Sequence, residues 1–107
     1  MPAGFLLELL PEYLDWCYAH ERQPCTRDFA DWLGVNRVTL YRWCTTEFGV
    51  PPNIIIREDR LRRAEELLSH GLTTAQASYR AGYRTRGTMF REFRRHRGTT
   101  PRSANQD

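Results

Sequence analysis

Apolar and small residues recur at helical spacing along most of this chain, and the longest such stretch covers residues 53–70. Ile54, Leu61, Ala64 and Leu68 step by seven, three and four, which predicts one buried stripe on a single long helix. Pro51 and Pro52 stop the preceding segment, Asn53 offers an N-cap, and Gly71 sits just beyond the end. Glu58 and Asp59 precede Arg62 and Arg63 by four residues, the favourable order for ion pairs on a helix face.

Shorter helical patterns flank it. Leu10, Tyr13, Leu14 and Cys17 share one face of a helix expected over 11–20, with Pro11 at its first position. The apolar piece at 5–10 is either an extra helical turn completing a core or a surface for self-association. Thr26 is the expected N-cap of a helix through Leu33, with Phe29, Ala30 and Leu33 inward; Gly34 ends it. Asn36 caps the next helix, over 37–46, with Leu40, Trp43 and Cys44 inward. Helix, short glycine-led turn and helix again is the helix-turn-helix outline. Downstream, Thr73 or Thr74 caps a helix through Ala81, Gly82 and Tyr83 turn the chain, and a further helix covers 86–96. The polar residues 103–107 read as a disordered tail.

The two outlines are copies. Ala30 and Gly34 match Ser78 and Gly82 at an offset of 48. Leu40, Arg42, Cys44, Gly49 and Pro52 match Met89, Arg91, Phe93, Gly98 and Pro101 at an offset of 49. The change of one falls in the turn, where a residue is most easily inserted. The expected fold is therefore all-α: two homeodomain-like three-helical units joined by a long central linker helix. Residues 1–52 hold an N-terminal helix and the first unit, 53–71 the linker, 72–102 the second unit, and 103–107 the tail. Seventeen residues of helix span roughly 25 Å, which with flanking loops suits two recognition helices about one DNA turn, ~34 Å, apart.

Charge sharpens this picture. The net charge is +3, and all 16 basic residues are arginine. Residues 1–53 carry 4 arginines against 7 acids, whereas residues 54–107 carry 12 against 6. The planar arginine fork suits phosphate and guanine. Cys17, Cys25 and Cys44 form no CxxC pair, and no cluster has metal-ligand spacing, so neither metal nor cofactor is expected and a reducing compartment is. No run reaches ~20 apolar residues, so no membrane span is expected, and the start lacks the basic region of a signal peptide. Nucleophile–base pairs and phosphate-cradling glycine loops are missing, which argues against an enzyme.

Helical geometry selects the outward residues. With Leu40, Trp43 and Cys44 inward, Val38, Tyr41, Arg42 and Thr45 face out; with Met89 and Phe93 inward, Gly87, Phe90, Arg91 and Arg94 face out. The chain resembles the DNA-binding domain of the AraC/XylS transcription regulators from about Leu10 to Pro101. The resemblance rests on Phe29-Ala30, Gly34-Val35-Asn36, Leu40, Arg42 and Gly49, and on Arg60, Leu61, Ala64, Leu67 and Leu68. Its most specific part is Gly82-Tyr83, Phe90-Arg91, Phe93-Arg94 and Gly98-Thr99-Thr100-Pro101. Ser78, Ala77, Met89 and Cys44 depart from the family pattern, each making the local core smaller or more polar.

The resemblance implies a double-stranded DNA partner, an asymmetric site read through two successive grooves, and activation by contact with RNA polymerase. It implies base contacts at Val38, Tyr41, Arg42, Arg86, Gly87 and Arg91, although Gly87 reads more simply as a tolerated small residue. Phe90 either meets a thymine methyl or closes the core edge. Phosphate contacts are expected from Asn36, Arg37, Thr73 and Thr74 at helix starts, where plain capping is the alternative, and from the basic run Arg94, Arg95 and Arg97. Arg60, amid the linker helix, is expected to be structural, pairing or capping between the units. The functional expectation is a cytoplasmic, nucleoid-associated transcription regulator; the alternative is a module that binds another regulator or the polymerase itself.

Overall fold

The computed structural model describes residues 4–99 and 101, and among these it contains six helices and no strand. They are α1 (Phe5–Ala19), α2 (Thr26–Leu33), α3 (Arg37–Phe48), α4 (Pro52–Ser69), α5 (Thr74–Arg80) and α6 (Arg86–Arg97). The expected tail at 103–107 lies outside the described residues. The chain divides into two units between Arg57 and Glu58, inside α4.

The first unit is built on α1, longer than expected: the helix begins at Phe5 and runs through Pro11 instead of starting there. Leu6, Leu10, Tyr13, Leu14 and Cys17 form one buried stripe, and a break at Pro11 would split it. The burial offsets the roughly 3 kcal/mol that a helix-interior proline costs. The carboxylate of Glu47, at the end of α3, accepts from the orphan N–H groups of Leu6 (3.0 Å) and Leu7 (3.2 Å). Residues 5–10 are thus the extra turn that completes the core, with Leu7 turned outward.

Phe29 and Ala30 of α2 and Leu40 and Cys44 of α3 close this core. Tyr13 stacks on Phe29 at 4.6 Å, and Phe5 meets Trp43 edge-on at 6.0 Å. Tyr13 also ties α1 to the start of α2, its hydroxyl donating to Asp28 Oδ2 at 2.9 Å and accepting from Cys25 N at 3.2 Å. Burial, foremost, pushes its phenol well above the ordinary range. Cys25 is the N-cap of α2, its sulfur accepting from Asp28 N; Thr26, the expected cap, is the first helical residue. Asn36 caps α3 as expected, accepting from Thr39 N at 2.8 Å.

α4 starts at Pro52, where a missing N–H is harmless, so Asn53 lies inside the helix rather than capping it. Ile56 is buried on the first-unit side of the division, and Leu61, Ala64 and Leu68 on the second-unit side. Ile54, assigned to the stripe by its spacing, is only half-buried.

In the second unit Leu61, Ala64 and Leu68 pack with Ala77, Ala81, Tyr83, Met89 and Phe93. α4 serves this unit as α1 serves the first. Each ends with a histidine whose ring nitrogen sits against the carbonyl four residues back, His20 on Trp16 at 2.8 Å and His70 on Glu66 at 2.7 Å. A left-handed residue follows each, Glu21 and Gly71. Thr73 caps α5 in a reciprocal box with Gln76.

Candidate nucleic-acid interface

The turns before α3 and α6 are copies at the level of single hydrogen bonds. Gly34 N donates to Asp31 O and Val35 N to Ala30 O; Gly82 N donates to Tyr79 O and Tyr83 N to Ser78 O. Both glycines lie in the left-handed region, at φ 75° and 91°, where a side chain would be strained. The N-caps that follow are Asn36 and Thr85, offset by 49, so the extra residue of the second turn lies between Tyr83 and Thr85. Both helices have 12 residues and end at left-handed glycines, Gly49 and Gly98. Met89 and Ser78, which depart from the family pattern, are both buried.

On α3 the residues left outside are Arg37, Val38, Tyr41, Arg42 and Thr45, all exposed, with Val38 at 69% and Tyr41 at 54%. Val38 and Tyr41 thus lie opposite the buried Leu40 and Cys44, among the most exposed large apolar side chains of the described residues. Arg37, Val38 and Tyr41 also border an open depression of about 420 Å³, completed by Thr26, Pro52 and Asn53. Sequence reasoning missed Thr26 and Asn53 here. The repeat held the signal for Thr26, which corresponds to Thr74 at the offset of 48.

On α6, Arg86, Gly87, Arg91, Arg94 and Arg95 are exposed, and Phe90 is half-buried at the core edge. Arg94, Arg95, His96 and Arg97 fill the last turn, where positive charge complements the helix dipole. Arg97, expected beside Arg94 and Arg95 on phosphates, turns back onto α4 instead. Its Nη2 lies 3.1 Å from Glu58 and its Nε donates to Glu65 at 3.3 Å. Burial works against its charge, but these two carboxylates outweigh it and raise the arginine's pKa. Arg97 thus ties the end of α6 to α4 within the second unit.

Arg60 is likewise internal to that unit, paired with Glu92 at 2.9 Å and lying 4.9 Å from the Tyr83 ring centre. Burial and the Glu92 charge push the Tyr83 phenol far up. Asn36 and Thr73 are engaged as caps, and Thr74 is half-buried in the first turn of α5. Thr85, which caps α6 and accepts from Thr88 N at 3.1 Å, was overlooked, although it stands 49 residues after Asn36. Among the described residues no group of His, Cys, Asp or Glu could hold a metal, and no helix is long and apolar enough to cross a membrane.

Residues 29–106 match a family described as a helix-turn-helix domain, of AraC type. The chain belongs to the AraC-type helix-turn-helix family. Solved structures of other proteins share its architecture. The C-terminal domain of the two-component response regulator yesN from Fusobacterium nucleatum superimposes with a TM-score of 0.81 at 18% identity, covering 92% of this chain and 96% of that one. A transcriptional regulator with an AraC-type DNA-binding domain from Chromobacterium violaceum gives 0.66 at 29% identity, covering 77% and 74%. The DNA-binding domain of AdpA, solved with a target DNA, gives 0.76 at 23% identity, covering 90% and 88%. No curated protein sequence matches the chain significantly.

Proposed function

We propose that this AraC-type chain is a sequence-specific DNA-binding transcription regulator that sets α3 and α6 into successive major grooves of an asymmetric promoter site. One observation carries the proposal: two helices matched at an offset of 49 each bury their apolar face and leave the matching arginines, Arg42 and Arg91, exposed. Each arginine can fork onto guanine O6 and N7, and the exposed Val38 suits a thymine methyl. Gly87 leaves bare backbone for close approach, and Tyr41 and Arg86 flank the reading arginines. Arg37, Arg94 and Arg95 supply phosphate contacts that set affinity rather than sequence, together with helix starts at Asn36, Thr73 and Thr74. The AdpA domain, solved with its target DNA, supports this role by likeness of fold. RNA polymerase is the protein partner implied by membership of the family, and the cytoplasm the matching compartment.

Selection from random duplexes at about 150 mM salt tests it, since affinity without stated salt has no meaning. The expected product is a site with two short motifs about ten base pairs apart. Enrichment of no motif would reject sequence-specific binding, and tight capture of a protein instead would favour an interaction module.

A further inference from the structure

The reading arginine of α6 is not free, and that of α3 is. Arg91 Nη2 donates to the hydroxyl of Thr88 at 3.2 Å. That hydroxyl lies 3.0 Å from the hydroxyl of Thr85, which in turn accepts from Thr88 N at 3.1 Å. Thr85 Oγ1 has two lone pairs, so it can accept both the Thr88 amide and the Thr88 hydroxyl proton. Thr88 Oγ1 then keeps its lone pairs for Arg91. The N-cap of the helix is thereby wired to the guanidinium two turns along.

Gly87 lies beside this hydrogen-bond chain, and a methyl group there would make only ordinary contact with it. A Cβ added there would stand 3.6 Å from Arg91 Nη1, so the guanidinium lies back beside bare backbone. The first unit keeps a threonine, Thr39, at the position of Thr88, but among the described residues no hydrogen bond joins it to Arg42, and its cap carries no hydroxyl. At the matching positions Asn36 caps with its amide oxygen on Thr39 N, and Val38 carries a branched, exposed side chain in place of Gly87. Among the described residues Arg42 has no hydrogen-bond or ion-pair partner.

We infer that Thr88 is a positioning residue: it presets the Arg91 fork for one base pair, whereas Arg42 adapts to its base on binding. This rests on the DNA-reading role proposed above. An arginine held in one rotamer loses less conformational freedom per hydrogen bond it forms to a base, and it tolerates a displaced or substituted base less well. The second unit is the stringent reader and the first the adaptable one.

The test uses the full chain and duplex pairs differing only at the base pair where Arg91→Ala flattens the preference. Thr88→Val, which keeps size and backbone capping, is expected to lower discrimination there by about three- to tenfold, the net worth of an ordinary hydrogen bond at an exposed site. Thr88→Ser is expected to retain it, and neither variant should move the melting temperature or the salt slope of binding. In the free protein, NMR relaxation of the Arg91 Nε–H group should report a more ordered side chain than Arg42, and Thr88→Val should bring the two together. Full discrimination by Thr88→Val, or an equal loss on both duplexes, would overturn the role of Thr88 alone. If Arg91→Ala itself flattened no position, the DNA-reading role would fall, and this inference with it.

Discussion

Arg60 and Glu92, 32 residues apart, meet at 2.9 Å inside the second unit, and both side chains are largely buried. The other carboxylate oxygen of Glu92 accepts from the Tyr83 hydroxyl at 3.0 Å, while Arg60 lies over the Tyr83 ring. One polar triad thus joins α4, the turn and α6. In the first unit the position of Glu92 is held by Trp43, which packs on Phe5. The same scaffold is closed once by an ion pair and once by an aromatic contact. Removing one partner of a buried pair strands the other charge, so Arg60→Ala should destabilise the second unit by about 3 kcal/mol. Trp16, Trp32 and Trp43 all lie in the first unit, so tryptophan fluorescence follows that unit alone. The loss should appear in the circular dichroism transition and leave the fluorescence transition in place.

Glu47 gives the complementary case. Its carboxylate satisfies two N–H groups of α1 from 40 residues away, which makes it an N-cap supplied by tertiary structure. Glu47→Ala should cost about 1 kcal/mol, the usual worth of a cap, and here the fluorescence transition should move. An unchanged midpoint would mean that water replaces the carboxylate at no loss.

Alkaline pH should loosen both units, with Cys44 setting the window in the first. Burial raises its thiol from 9.0 to about 11, and it pushes the Cys17 thiol upward as well. The unfolded chain releases the Cys44 proton more readily than the folded one. Stability is therefore fully present below pH 9 and falls as the pH rises through 11. Chemical denaturation between pH 8 and pH 11, followed by tryptophan fluorescence, reads this decline, and Cys44→Ala should flatten part of it. At neutral pH a thiol reagent should label the exposed Cys25 at once and Cys17 and Cys44 only in denaturant.

The two classes of arginine on the proposed interface should separate in binding assays. Arg42→Ala or Arg91→Ala should lose roughly 1–3 kcal/mol of discrimination at a single base pair, while Arg95→Ala should weaken all duplexes alike and lower the salt slope. Arg97→Ala should behave differently from Arg95→Ala, because its charge is spent on Glu58 and Glu65. Its main effect belongs in the stability of the second unit.

Two residues inserted between Arg57 and Glu58, where the units divide, should turn the remainder of α4 by about 200°. The structure determines this choice of site. An insertion near Arg62 would fall between Leu61 and Ala64 and break the second core itself. If both motifs must be read together, the insertion should abolish tight binding to the two-motif site and spare binding to each motif alone. Equal affinity before and after would show that the phase of the helix is irrelevant.

The sequence by itself determined the number of helices, the repeat and the outward faces of α3 and α6. Those features are local, set by apolar spacing of three and four, by turn glycines at Gly34 and Gly82, and by a short offset between copies. Caps with a strong local signal, Asn36 and Thr73, were legible for the same reason. Partners chosen across the fold were not. That Glu47 caps α1, that Arg97 leaves the basic run for α4, and that α1 continues through Pro11 each depend on groups far apart in sequence. Their spacing carries no trace of the meeting. The tertiary structure also decided which residues of α4 serve which core: Ile55 packs against the first and Leu61, Ala64 and Leu68 lie in the second, a division that one helical stripe in the sequence does not show.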